Sequence, residues 1–402
     1  MRIGIDCRTI LNPEKGEGAG IGHYVYQLVR HLLICDKKNK YFLFFDRSVR
    51  KKTLQKFSQD NATVHFFPFQ QYRRFLPDFY SRLLMNAFIS KEKLDIFHLP
   101  SIILPLDIKV ATVITVHDLS AYKFPAWHST GKGKNLFLKF KEKVGELLQQ
   151  GKFIISPSLS TAKDIEEIFG IPFKKIKIIA HGVDERFYVK SSKEQIKLTK
   201  EKYGIKGKYL LFLGVLEERK NIKRIVSAYE RFSRRFPKTK ICYKLVLAGA
   251  PGRNFAEINK KIASSPYRRN IIVPGYIHSD DINPLFEGAS VFVFPSLWEG
   301  FGLPVLEAMA KKIPVITSNT SSLIELSKGR SLLVDPYDIS DIAKAMEKAV
   351  LEKDKLEPMI EKAYKYSKNF SWLKTAKQTL DLYKKGEQKG GQSPKSDRPN
   401  TA

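Results

Sequence analysis

Short apolar runs alternate with amphipathic stretches along most of the chain. Strand-like runs occupy Arg2–Cys7, Tyr41–Phe45, Thr63–Phe67, Ile96–His98, Val110–Val116, Phe153–Ser156 and Ile176–Ile179. Between them, His23–Ile34, Pro77–Ile89, Asn135–Gln150 and Ser160–Phe169 repeat apolar residues at helical spacing. Strands separated by helices argue for a parallel α/β sheet. Asp184–Lys202 is polar and weakly patterned, so it reads as a connection. A second α/β unit opens at Lys208–Gly214 and continues through strands at Lys244–Ala248, Ile271–Val273, Val291–Phe294, Pro314–Thr317 and Leu332–Val334. The pattern divides the chain into domains 1–185 and 186–370, a helical end 371–385 and a polar tail 386–402 expected to be disordered.

The densest chemistry lies in Pro295–Ala310, P-S-L-W-E-G-F-G-L-P-V-L-E-A-M-A. Glu299 falls at the C-terminal end of the run Ser290–Phe294, and Pro304 suits the first turn of a helix that carries Glu307. Both carboxylates face the crevice where open α/β sheets bind ligands. Gly300 and Gly302 let the backbone approach a ligand, and the helix N-terminus offers free N–H groups to an anion. One carboxylate can take two ribose hydroxyls and the other a reacting sugar. A capped turn without function is the plainer alternative, but it does not account for two acids, two glycines and a proline together.

The stretch resembles the E-x7-E signature of the retaining, nucleotide-sugar-dependent glycosyltransferases of family 4, closest in style to bacterial mannosyltransferases. The resemblance extends from Met1 to about Leu382. It implies a GT-B fold, two Rossmann-like domains facing a cleft, with the C-terminal helix crossing back to the first. It also implies a hexosyltransferase that moves a hexose, mannose by motif style, from a nucleotide-diphosphate sugar such as GDP-mannose to a glycan or lipid-linked acceptor. Glu307, Gly300, Phe301, Gly302 and Leu303 then belong to donor binding, and Glu299 grips the transferred sugar.

Other segments fit the same picture. Val110-A-T-V-I-T-V-H-D-L119, followed by F-P-A-W-H, is similar to the family's catalytic-cleft segment, which places His117 at the donor sugar. Asp118 orients His117 or the loop. A purely structural His–Asp pair is the alternative. Phe212-L-G-V-L-E-E-R-K-N221 leads from a strand into a basic turn, where Arg219 and Lys220 can neutralise a departing diphosphate. Many relatives carry Arg directly after the glycine; Val215 stands there in this chain. Gly275-Tyr276 resembles a nucleotide-side loop where a base packs. Gly182 and Asp184 read as architectural. Ile316–Leu323 could line the donor pocket, although Ile324 stands where the family usually has proline.

The glycines Gly18, Gly20 and Gly22 precede a helix and suit a diphosphate or acceptor sugar. Their spacing and distance from the first strand do not match a dinucleotide fingerprint. An inert surface loop is the alternative.

Composition narrows the partners. Lys plus Arg number 70 against 41 Asp plus Glu, a net charge of +29. Such a field attracts nucleotide phosphates, anionic lipid or nucleic acid, unless it is only a solvated lysine-rich surface. Cys7, Cys35 and Cys242 form no CxxC, as expected for a reducing cytosol. The opening M-R-I-G-I-D reads as a strand rather than a signal peptide, and Asp107 and Lys109 interrupt the longest apolar stretch. The expected location is cytoplasmic, with peripheral contact at the inner membrane face through Tyr72–Ser90 or Lys132–Lys143; packing of those helices on their own sheet is the alternative. No D-x-D triad or His/Cys cluster is present, so no metal or cofactor is expected. Two other readings are an epimerase or phosphorylase of the same fold, and a non-catalytic basic scaffold. The absence of an obvious pyridoxal-phosphate lysine segment argues against phosphorylase. No recognised nucleic-acid motif supports the scaffold.

Overall fold

The structure is a computed structural model that describes residues 1–10, 20–67, 86–87, 89–102, 110–127, 134–235 and 242–388. The expected helix Pro77–Ile89, the segment Tyr72–Ser90 for the most part, Gly18 and the tail beyond residue 388 lie outside the described residues.

The first sheet holds seven strands in the order β3-β2-β1-β4-β5-β6-β7: β1 Arg2–Asp6, β2 Lys40–Phe45, β3 Ala62–Phe66, β4 Ile96–Leu99, β5 Thr112–Thr115, β6 Phe153–Ser156 and β7 Ile176–Ile178. Every pairing is parallel. Buried clusters cover both faces, which is why these strands read as near-continuous apolar runs. The second sheet repeats the plan in the order β10-β9-β8-β11-β12-β13: β8 Tyr209–Leu213, β9 Lys244–Ala248, β10 Ile271–Gly275, β11 Val291–Phe294, β12 Val315–Ser318 and β13 Leu332–Val334. Its core forms one large cluster that includes Phe212, Phe292 and Met309.

In both sheets the chain reverses its direction of strand addition beside the first strand. The reversal falls between β1 and β4, and again between β8 and β11. Loops leaving the C-terminal ends at such a switch point diverge and leave a crevice. The basic turn follows β8 and the two-glutamate loop follows β11, so the topology alone sets them side by side. The two Rossmann-like domains form the GT-B arrangement, with the cleft between the carboxyl edges of their sheets.

Two elements differ from expectation. The connection does not remain irregular: Lys193–Lys202 is a helix. Ser192 caps it and Gln195 returns the bond, a capping box whose S-x-x-Q signal is local and outweighs weak amphipathicity. The terminal helix, Trp372–Gln388, runs three residues beyond the expected end at Lys385. It packs against the helix Ile21–Cys35 of the first domain, burying Trp372, Ala376, Leu380 and Tyr383. Within the first core the Tyr383 hydroxyl lies 2.6 Å from His98 Nδ1, and His98 Nε2 lies 2.9 Å from Thr115 Oγ1.

Candidate active site

Glu299 is the centre of the cleft's charge arrangement. The loop after β11 carries it, and its backbone is held on two sides: its N–H donates to Ser321 Oγ at 3.1 Å, and its carbonyl accepts from Ser322 Oγ at 2.8 Å. The turn after β8 supplies the counter-ions. Lys220 Nζ sits 2.6 Å from Glu299 Oε1, and Arg219 Nη1 sits 3.0 Å from Oε2. Arg219 also donates to the Trp298 carbonyl and pairs with Glu217 at 2.9 Å. Asn221, in a left-handed turn, fixes that segment by donating to the carbonyls of Pro295 and Pro336.

Burial opposes charge at all three groups, and pairing decides which one gives way. Desolvation works against the Glu299 carboxylate, but Lys220 and Arg219 hold it below its ordinary value. Desolvation also works against Arg219, which Glu299, Asp118 and Glu217 keep firmly charged. At Lys220 desolvation wins and the ammonium titrates below its usual range. A fixed guanidinium and a softer ammonium thus share one buried carboxylate.

Asp118 faces this group from the end of β5, while the neighbouring His117 ring packs against Tyr24 at 4.6 Å and His181 at 5.3 Å. The His117 Nε2 lies 2.8 Å from the Pro100 carbonyl. A carbonyl only accepts, so Nε2 carries the proton; burial depresses the ring's pKa and leaves a neutral imidazole. Pro100, at the end of β4, therefore orients His117. Asp118 instead accepts from the Ser120 N–H at 3.0 Å and from its hydroxyl at 2.7 Å. Desolvation raises its pKa, yet Arg219, Ser120 and Lys220 bring it below the ordinary carboxyl value. Gly300 touches the first domain directly: a Cβ there would lie 1.9 Å from the His117 carbonyl oxygen.

Glu307 stands in a second group. It lies on the helix Leu303–Ala310, whose cap Gly302 has φ 99°. Desolvation raises its carboxyl to about 7, with Arg186 opposing and Asp184 reinforcing the shift. Asp184 accepts from Gln27 Nε2 at 3.0 Å, and Arg186 donates to the Ser279 carbonyl at 3.1 Å. Sequence reasoning passed over Arg186 because it sits in the segment read as connection.

The remaining expected residues divide. Gly275 has φ 79° with open space where a Cβ would point, and Tyr276 beside it is exposed. Gly249 closes the same rim: its N–H donates to the Gly275 carbonyl, and a Cβ there would lie 1.8 Å from the Gly214 carbonyl oxygen. The Phe301 side chain goes elsewhere. It is buried in an aromatic group with His181 at 4.9 Å and Phe370 at 6.0 Å, because an apolar ring is better placed there than at a polar donor. Leu303 opens its helix half-buried against the core. Gly20, at φ 67°, caps the helix Ile21–Cys35, and Gly22 lies inside its first turn. Among the described residues no group of three or more His, Cys, Asp or Glu side chains could hold a metal. Nor is any helix among them long and apolar enough to cross a membrane.

Glu299 with its basic turn and Glu307 with Arg186 and Asp184 thus form two charged groups centred on the second Rossmann-like domain, and similarity to known proteins gives the class of the chain. The family description "Glycosyltransferase Family 4" matches residues 18–187, and "Glycosyl transferases group 1" matches residues 195–366. The chain belongs to this family of glycosyltransferases. It is 28% identical over 382 residues to the O-antigen chain mannosyltransferase B of Escherichia coli, spanning 92% of this chain and 97% of that one. It is 32% identical over 245 residues to the serotype-specific mannosyltransferase WbdA of Escherichia coli, covering 60% of this chain and 30% of that longer protein. In fold it matches HepE of Anabaena, solved in complex with UDP and glucose, at a TM-score of 0.73 and 15% identity, over 96% and 100% of the two chains.

Proposed function

We propose that the protein is a retaining hexosyltransferase that moves mannose from GDP-mannose to a glycan or lipid-linked acceptor in polysaccharide or glycolipid synthesis. The observation that carries the reading is the clasp of Arg219 and Lys220 on Glu299 at the switch point. The donor's diphosphate is the anion those cations suit. As it arrives it competes with Glu299 for them, which frees the carboxylate to accept hydroxyls of the transferred sugar. Glu307 takes the ribose hydroxyls, the rim at Gly275 and Tyr276 takes the base, and neutral His117 meets the sugar from the first domain. The acceptor enters beside the helix that Gly20 caps. The leaving phosphate assists the incoming hydroxyl on the face it departs from, so configuration is retained without a protein nucleophile.

Mannose rests on the two mannosyltransferase relatives, and a nucleotide sugar on HepE's bound UDP and glucose. Divalent metal is not required in this scheme; loss of turnover on chelation, restored by one divalent ion, would overturn that part. The test of the whole is a binding and hydrolysis screen of nucleotide sugars with Glu307→Ala as control. A single Glu307-dependent donor supports the reading, and mannose released with inverted configuration opposes it.

The helix Lys134–Gln150 exposes Leu138 and Phe140 around Lys139. Apolar side chains beside a cation suit an anionic leaflet, so the enzyme docks peripherally on the cytoplasmic face to reach its acceptor. Flotation with anionic but not neutral vesicles at low salt is expected. Equal recovery with both rules the docking out.

A further inference from the structure

The loop that carries Glu299 is fastened across the cleft through one turn of helix. The helix Leu159–Phe169 of the first domain begins at Ser158, whose Oγ accepts from the Thr161 N–H at 3.0 Å. The two amides ahead of Thr161 have no partner in their own domain. Leu159 and Ser160 donate at 3.0 and 2.6 Å to the two carboxylate oxygens of Glu325, which belongs to the second domain. The first turn of a helix must satisfy its free N–H groups, and an anion there is favoured by the helix dipole. This turn is fully satisfied only while the two domains are together.

The same turn also grips the catalytic loop. The Gly300 carbonyl, one residue after Glu299, accepts from Ser158 Oγ at 2.7 Å and from Thr161 Oγ1 at 3.1 Å. All three groups are buried. Trp298, one residue before Glu299, packs edge-on against Phe124 at 5.2 Å and under the Lys123 ammonium at 4.6 Å. Lys123 in turn pairs with Asp164 of the same helix at 2.6 Å. Glu299 is therefore flanked on both sides by residues held to the first domain, while its carboxylate is held by the second.

We infer that this helix turn is an interdomain latch that sets Glu299 for reaction, with Ser158, Thr161 and Glu325 as positioning residues. The inference rests on the transferase reading of the cleft. Separation of the domains sends the Glu325 carboxylate and both amides to water, and it frees the Gly300 carbonyl. Closure restores four hydrogen bonds together with the placement of Glu299. The latch thus ties the geometry of the reacting group to the closed cleft, and reaction waits for closure.

The test uses the full chain in two arms. In the first, amide hydrogen exchange is followed without substrate. Glu325→Gln is expected to speed exchange at Leu159 and Ser160 by about tenfold or more, and to leave the Thr161 amide, capped within its own domain, unchanged. In the second arm, transfer from GDP-mannose is measured for Glu325→Gln and for the pair Ser158→Ala with Thr161→Val. Each is expected to lower kcat by about tenfold with donor KM within about threefold, and Ser158→Thr, which keeps the hydroxyl, to keep the wild-type rate. Unchanged exchange at both amides overturns the latch. So does an unchanged kcat, or a donor KM that worsens in step with kcat. If wild-type protein does not use GDP-mannose, the donor assignment fails and the exchange arm alone decides the latch.

Discussion

The Lys220 ammonium lies 2.6 Å from a Glu299 carboxylate oxygen, with the two side chains only 11% and 9% exposed. Both residues belong to the second domain, and they meet because β8 and β11, far apart in sequence, are neighbours at the switch point. Lys220→Ala leaves Arg219 to neutralise Glu299, so the fold is expected to persist. In the proposed scheme the donor's diphosphate loses one of its two cations, and turnover should fall about 10²-fold or more. Steady-state kinetics beside a circular dichroism melt separates the two effects, and a variant that keeps most of its activity removes Lys220 from the diphosphate site.

Glu299→Ala should behave differently from Lys220→Ala in stability. It leaves a guanidinium and an ammonium side by side in a buried place, and stripping one partner from such a group costs about 3 kcal/mol. Because Lys220 already gives up its proton more readily than an exposed lysine, part of that cost is relieved by its deprotonation. Adding Lys220→Ala to Glu299→Ala should therefore recover stability. Urea unfolding of the two single variants and the double variant forms the cycle that measures it. Strict additivity would show that the pair contributes nothing as a pair.

The strands and the placement of the charged loops at their carboxyl ends were legible because they are local signals. A buried parallel strand is a run of apolar residues, and the motif from Pro295 to Ala310 holds its acids, glycines and proline within one loop and one helix. Contacts between distant segments were not legible. Nothing near Ser158 announces that its hydroxyl will hold the Gly300 carbonyl, and nothing near Glu325 announces the helix it caps. Arg186 was hidden in the same way, beside Glu307 only through the fold. Phe301 shows the converse limit. Its motif places it in the donor loop, while aromatic packing across the cleft claims the side chain.

Gly300→Ala tests how closely the domains must approach. The added methyl would sit 1.9 Å from the His117 carbonyl oxygen and 2.8 Å from Asp118 Cβ, and a backbone atom cannot yield as a side chain can. The clash lies across the cleft, so the fold of the second domain and the proposed nucleotide site on it should persist. Misplacement by about 1 Å at a reacting centre costs about 10²-fold. Nucleotide binding by calorimetry near the wild-type value, with turnover down by that factor or more, is the expected pair of results. Full activity would mean that reaction proceeds in a wider cleft than this one.

Glu307 should make both stability and donor binding depend on pH, in opposite directions. Its carboxyl titrates at about 7 in the folded chain, against an ordinary value of 4.5, because burial disfavours the charge. Between those two values the folded chain holds a proton that the unfolded chain has released, so stability declines as pH rises from about 4.5 to about 7. The difference of 2.5 pH units corresponds to at most about 3 kcal/mol. Above pH 7 the carboxylate is ionised, and if it accepts the ribose hydroxyls as proposed, donor affinity should strengthen as pH rises from 6 to 8. Glu307→Gln cannot titrate and should flatten both profiles while binding donor weakly throughout. Urea unfolding at pH 5 and pH 8, with donor titrations across the same range, checks the two signs together. A wild-type stability profile identical to that of Glu307→Gln would show that this carboxyl is already ionised when free of donor, and would remove the basis for the pH-dependent affinity.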